Sequence, residues 1–432
     1  MTQTERKLYF LFGGILGIII VIGLVVQGPV EALRGLLRIV VHPARLINDF
    51  TLVGGEGAAL VNAALTALIG LVLVRINRIR LAGPTVAAVF TILGFGLFGK
   101  TPLNVVPVMM GVYASSRFLK KSFKEYILIA LFGTALGPVA SAVAVEAGLT
   151  GTAALGAGIL GGFAIGTLLP AAAMSMLRLH QGFNLYNIGM TSGFLALFAA
   201  SLFAASGTVL PPQLVWNESP SPVLVYLIPV LSALLLAAGL ILEGAGAFRA
   251  LKKIQKLAGR LPSDFMDMGT PGGTLLNMGA LGLAGWGYVL IVGGDLNGPV
   301  LGGILTIVGF ASFGKNLRNT WPVVAGVAAA TLLFGKGLAS PGPLLAALFC
   351  TTLAPLSGEF GIPVGFLAGF VHLMMVERTG AWHNGMNLYN NGFAGGLTAT
   401  LFVAVIEWYR ANRPGSKGPK KTESPIPEEG RK

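Results

Sequence analysis

The chain has 432 residues, of which 54% are hydrophobic and only 11% charged, with 62 Gly and a mean hydropathy of +0.77. Soluble proteins carry about 25% charged residues, so this chain lacks the polar surface a water-borne fold needs and reads as a multi-pass membrane protein. One Cys, four His and 17 acids exclude a disulfide framework and leave no basis for a multi-Cys metal or iron–sulfur site. No cofactor, metal or catalytic residue is expected, and the chain is not read as an enzyme. The net charge of +13 raises nucleic acid as a partner, which depends on where the 30 Lys and Arg lie.

The first apolar run, 8–26, is long enough to cross a hydrocarbon core of about 30 Å. A basic amphipathic stretch follows it rather than a small-residue cleavage site, so it reads as a retained helix. Further apolar runs fall at 57–74, 83–99, 102–116, 126–145, 151–177 and 184–206. After a linker at 207–222 they resume at 222–245, 271–293, 298–313, 320–335, 340–356, 361–376 and 386–407. Several of these fourteen segments are short for a full crossing, which leaves room for broken or re-entrant helices.

With the N-terminus (1–7) in the cytoplasm and alternate crossings, 24 of the Lys and Arg fall inside and 6 outside. The inside set is concentrated at 75–80, 117–124, 249–260 and the tail at 409–432. This excess orients the protein and meets anionic lipid, so both termini are expected in the cytoplasm. Nucleic acid is not an expected partner, and the tail reads as disordered and solvated.

The chain repeats itself. TILGFGLFGK at 91–100 matches TIVGFASFGK at 306–315 in seven of ten positions, and the same offset of 215 pairs Asp49 with Asp264, Asn62 with Asn277, Asn104 with Asn319 and Arg45 with Arg260. LFGTALGP at 131–138 matches LFCTTLAP at 348–355, and HQGFNLYNIGMTSG at 180–193 matches HNGMNLYNNGFAGG at 383–396 in eight of fourteen. The duplication spans 8–206 and 223–408. Seven segments per copy force the second copy to enter the membrane from the opposite side. The expected fold is therefore an all-α integral membrane protein of two inverted repeats, an arrangement recurrent in transporters.

The doubled G-x-N-L-Y-N motif supplies the first candidate path residues: Asn184, Tyr186 and Asn187, with Asn387, Tyr389 and Asn390. Carboxamides and phenols at membrane depth are costly unless partnered, and they offer uncharged donors and acceptors to a polar solute. His180 and His383 sit four residues before the first Asn of each motif, as satisfied interfacial residues or as a proton relay. The second candidate is the G-P…F-G-K…N…P block with Lys100, Asn104, Lys315 and Asn319. If the flanking runs re-enter, the lysines reach toward mid-membrane; if they span fully, the favoured reading, the lysines lie at opposite surfaces. His372 is expected as a helix-interior His bonded to backbone, and no acid is placed firmly in a membrane centre.

On these two motifs the chain resembles an uncharacterised family of prokaryotic multi-pass membrane proteins, with no assigned substrate. It is more loosely similar to urea transporters, through residues 298–302 and the Tyr-Asn elements, and that likeness implies Tyr-Asn pairs beside a permeation path. About a hundred residues separate the two elements here, roughly two helices more than in that family, and Gly replaces the Asn before Pro. The functional expectation is a permease for a small polar solute, channel-like or weakly coupled. The alternatives are a proton- or sodium-coupled carrier and, in a different class, a membrane-embedded enzyme or assembly scaffold. Expected partners are the solute and anionic lipid, with a homo-oligomer left open.

Overall fold

In the computed structural model, which describes residues 2–413, ten helices precede the linker and ten follow it in the same order. The first half contains α1 (Gln3–Gln27), α2 (Pro29–Val40), α3 (Phe50–Val53), α4 (Glu56–Ile76), α5 (Gly83–Phe95), α6 (Pro102–Phe118), α7 (Ile127–Gly133), α8 (Gly137–Glu146), α9 (Gly151–His180) and α10 (Asn187–Ala205). The second contains α11 (Pro222–Glu243), α12 (Gly246–Ile254), α13 (Phe265–Met268), α14 (Pro271–Val292), α15 (Gly298–Phe310), α16 (Leu317–Leu333), α17 (Pro341–Phe349), α18 (Ala354–Phe360), α19 (Ile362–Trp382) and α20 (Asn390–Asn412). Every apolar segment read from the sequence is helical. Ten helical stretches among the described residues are long and apolar enough to cross a membrane, and the chain is a multi-pass membrane protein.

The fourteen segments are not fourteen equal crossings. Helices α5 and α15 have 13 residues each, about 20 Å of rise, which is too short for a 30 Å core. Each turns into the next helix through a tip held by buried polar atoms. Asn62 Nδ2 donates to the carbonyls of Gly96 and Lys100, both at 2.7 Å, and Asn277 Nδ2 donates to those of Ala311 and Lys315, both at 2.8 Å. Asn62 lies six residues, about 9 Å, along α4 from its first residue, so the tip is sunk by that depth. Lys100 and Lys315, favoured by the sequence for opposite surfaces, are fully buried at these tips. Burial is possible because the tip carbonyls already have amide donors and both amines find hydroxyl partners.

Helices α5 and α15 pack antiparallel through the centre of the molecule. The start of α5 lies beside the second tip, with Ser312 Oγ donating to the Gly83 carbonyl at 2.8 Å, and the start of α15 lies beside the first. A Cβ on Gly94 would stand 2.6 Å from the Gly302 carbonyl oxygen, so glycine permits this crossing. Segments 126–145 and 340–356 form broken helices: α7 and α8 are separated by a 3₁₀ turn at Thr134–Leu136, and α17 and α18 by one at Cys350–Leu353. Pro138 and Pro355, which cannot donate, sit just after each break. Helices α10 and α20 begin at Asn187 and Asn390, later than the apolar pattern suggested, because the Asn-Leu-Tyr residues before them are used in loops.

The linker between the halves has no counterpart in the repeat, and it covers one face only. Ile47 N donates to the Gln213 carbonyl and Val215 N to that of Ile47, at 3.0 and 2.9 Å. Glu56 accepts from Ser221 N at 2.9 Å, and Trp216 Nε1 donates to Asp295 at 3.0 Å. Helix α20 runs to Asn412, past the expected end of the membrane region at 408; the rest of the expected tail, 414–432, lies outside the described residues.

Candidate functional site

The site is built from contacts in which one half supplies a lysine and the other a tyrosine. Lys100 Nζ, at the first tip, donates to Thr134 Oγ1 at 2.7 Å and to the Tyr389 hydroxyl at 2.5 Å. Its repeat mate Lys315 donates to Thr351 Oγ1 at 2.7 Å and to the Tyr186 hydroxyl. Each amine also sits 4.5 Å from the ring centroid of its tyrosine. The threonines come from the 3₁₀ breaks, where their hydroxyls donate back to Leu131 and Leu348 and so present lone pairs to the amines. Neither amine has a carboxylate partner. Among the described residues Asp49 is the only acid in the buried set.

The Asn-Leu-Tyr-Asn loops place these tyrosines. His180 Nε2 lies 3.0 Å from Asn187 Oδ1, and His383 Nε2 lies 3.1 Å from Asn390 Oδ1. Asn390 Nδ2 donates to the Val376 carbonyl at 3.1 Å, so its Oδ1 is the acceptor and His383 carries its proton on Nε2. Nδ1 of each His then accepts from the backbone N–H of Asn184 or Asn387, at 3.4 Å. The first asparagines join the halves: Asn184 Nδ2 donates to the Gly392 carbonyl at 3.1 Å and Asn387 Nδ2 to that of Gly189 at 3.2 Å. The backbone N–H groups of Leu185 and Leu388 bond the carbonyls of Thr352 and Ala135, freed at the opposite half's helix break.

A cavity of about 900 Å³ opens between the halves. Its mouth carries Glu125, Arg178, Gln181 and Asp267, and its inner wall is aromatic. Phe95, Phe349 and Tyr389 form one cluster, with Phe95 centred 4.7 Å from Tyr389 and 5.4 Å from Phe349. Their repeat mates Phe310, Phe132 and Tyr186 form the other, at 4.7 and 5.6 Å. Of the twelve residues singled out in the sequence, Tyr186, Asn187 and Tyr389 line this cavity. Asn184 and Asn387 tie the halves together, while Asn390, His180 and His383 are clips behind the wall. Asn104 and Asn319 are the third residues of capping boxes that start α6 and α16, and each donates to its tip carbonyl, Gly99 or Gly314. The lysines stand behind the tyrosines.

Several participants escaped the motif search: the four phenylalanines, Thr134, Thr351 and Asn391, which lines the cavity and holds His372 Nε2 at 3.0 Å in place of the expected backbone bond. The phenylalanines and both threonines lie in the matched repeat blocks, so identity between the two copies was the available signal.

The opposite face carries the linker and a buried ion pair. Arg45, almost fully buried, holds Glu146 through two hydrogen bonds of 2.8 and 2.6 Å and donates to the carbonyls of Pro211 and Asn384. Its mate Arg260 is exposed and keeps only the equivalent bond, from Nε to the Gln181 carbonyl at 2.9 Å. Asp49 bonds Thr51 N at 2.9 Å and the backbone N–H groups of Asn217 and Gly298 at 3.3 Å, so it fixes the linker to the start of α15. Burial pushes its carboxyl up to about 6 against the hydrogen bonds it accepts from Thr51, Asn217 and Gly298.

No curated protein and no solved structure matches the chain, and the likeness to urea transporters gains no support from these comparisons. A family model does match, over residues 28–205 and 244–408, which leaves out α1 and its counterpart α11 and so covers the same nine helices of each copy, with α12 entered two residues before its start. The chain belongs to that family, DUF1576, described as proteins of unknown function.

Proposed function

We propose that this protein is a membrane permease for a small solute with a polar group, and that the solute passes between two repeats of inverted topology. The observation that carries the reading is the cavity that runs between the halves and ends on tyrosines each held by a lysine of the other half. The antiparallel packing of α5 on α15, the seven matched segments per copy and the 24 to 6 division of basic residues support inverted repeats with both termini in the cytoplasm. On that orientation the cavity mouth faces the cytoplasm, since Glu125 lies in the basic loop at 117–125, and the Arg45–Glu146 latch and linker close the outer face. The fold then carries a binding and passage role and no catalytic one, with anionic lipid at the basic loops.

The test is flux into proteoliposomes across a panel of small solutes. A responding solute whose flux falls at least about tenfold in a Tyr186→Phe, Tyr389→Phe double variant supports the reading. No flux above protein-free vesicles for any solute, or a double variant as fast as the wild type, contradicts it. A proton-coupled carrier is the second reading, favoured by two ionisable amines buried at the interface. It requires solute flux to respond to an imposed pH gradient.

A further inference from the structure

We propose that the inner end of the cavity is a binding site for an aromatic monocarboxylate; this rests on the permease reading and names its substrate class. Three features converge. The wall is made by six aromatic rings in two matched clusters, which offer faces and edges for a flat ring to stack on. The volume, about 900 Å³, is in the range of small-molecule sites and larger than a urea-sized solute requires. Two tyrosines line this end, and the hydroxyl of each is bonded by a lysine that has no acid partner.

The last point favours a negative charge on the ligand. A buried ammonium without a counter-charge is costly, and an anion on the cavity side of the phenol supplies that counter-charge through a single intervening hydroxyl. A carboxylate accepts from the phenol O–H while the amine donates to the phenol oxygen, so the lysine strengthens the contact without touching the ligand. The charged residues at the mouth are Glu125, Arg178, Asp264 and Asp267, with Arg80 paired to both aspartates, so the mouth carries both signs and selection by charge falls to the inner end. A ring with a single anionic group fills the apolar wall and supplies a counter-charge to one of the two lysine–tyrosine pairs. A small neutral solute does neither.

The test is equilibrium binding of radiolabelled benzoate to the full chain in lipid nanodiscs at neutral pH, with benzamide (ring without charge) and acetate (charge without ring) as competitors. Saturable benzoate binding is expected, with both competitors at least about tenfold weaker. In a Lys100→Met, Lys315→Met variant, benzoate is expected to fall to the benzamide level while benzamide is unchanged, a pattern that a misfolded protein does not produce. If that variant does not remain monodisperse, Tyr389→Phe, which keeps the ring, is expected to weaken benzoate and not benzamide. Absence of saturable benzoate binding, or benzamide or acetate binding as tightly as benzoate, overturns the proposal. Flux of non-aromatic solutes without benzoate binding removes this site and leaves the permease; benzoate binding with no flux of any solute keeps the site and removes the permease.

Discussion

Lys100 and Tyr389, 289 residues apart in the chain, meet at 2.5 Å, and the same lysine–tyrosine contact recurs between Lys315 and Tyr186. In each pair the lysine belongs to one half and the tyrosine to the other, so neither half completes its own site. The contact couples three breaks in regular structure: the sunken tip after α5 or α15, the 3₁₀ turn that offers a threonine hydroxyl, and the loop that ends in the tyrosine.

Removing one phenol hydroxyl tests that coupling. Tyr389→Phe leaves Lys100 with Thr134 as its remaining hydrogen-bond partner, a loss of about 1–3 kcal/mol for a buried donor left unpaired. Tyr186→Phe is expected to cost a similar amount, and thermal unfolding in detergent measures both. Lys100→Met combined with Tyr389→Phe is expected to recover most of the loss, because an apolar pair of similar volume removes the desolvation cost along with the bond. A double variant less stable than either single change contradicts this.

The asparagine clips are expected to differ in strength. Asn390 accepts from Thr379 at 2.6 Å and donates to Val376 at 3.1 Å, whereas Asn187 reaches the Ala173 carbonyl only at 3.5 Å. Asn390→Ala is therefore expected to cost about 1–3 kcal/mol and Asn187→Ala less, again by thermal unfolding. Equal losses contradict the clip geometry.

Asp49 gives the linker's attachment a pH dependence. Its folded-state value, raised to about 6, lies above the ordinary 3.8, so the folded protein binds this proton more tightly than the unfolded chain. The stabilisation is complete below about 4 and is lost as pH rises through about 6. Asp49→Asn is expected to flatten the part of the melting-temperature profile between pH 4 and 7 that this group supplies. A variant with the wild-type slope contradicts the assignment.

Much of the fold was legible in the sequence. All fourteen apolar segments are helical, and the repeat offsets of 215, 217 and 203 pair residues that make equivalent contacts, such as Asn62 with Asn277 and Arg45 with Arg260. The site was legible only in part. Asn184 and Asn387 were chosen as polar groups in an apolar chain, but their amides are consumed by backbone carbonyls across the interface, a contact between residues about 200 apart that no local pattern encodes. Lys100 was misplaced because length alone does not separate a short span from a sunken hairpin; the amide that holds the tip, Asn62, lies on another helix. The aromatic wall was hidden because Phe95 and Phe132 look like ordinary apolar residues until the second copy brings Tyr389 and Phe310 against them.

The central claim, a path between oppositely oriented halves, is tested most directly by thiol accessibility. The native Cys350 is buried and is the only cysteine in the chain, so a Cys350→Ser background gives a clean measurement. Ile129 lines the cavity, and its repeat mate Ala346 is buried. A membrane-impermeant thiol reagent is expected to modify Ile129→Cys from the cytoplasmic face only, and Ala346→Cys, more slowly, from the outer face only. Protection of Ile129→Cys from both faces, or modification of the two positions from the same face, contradicts the account.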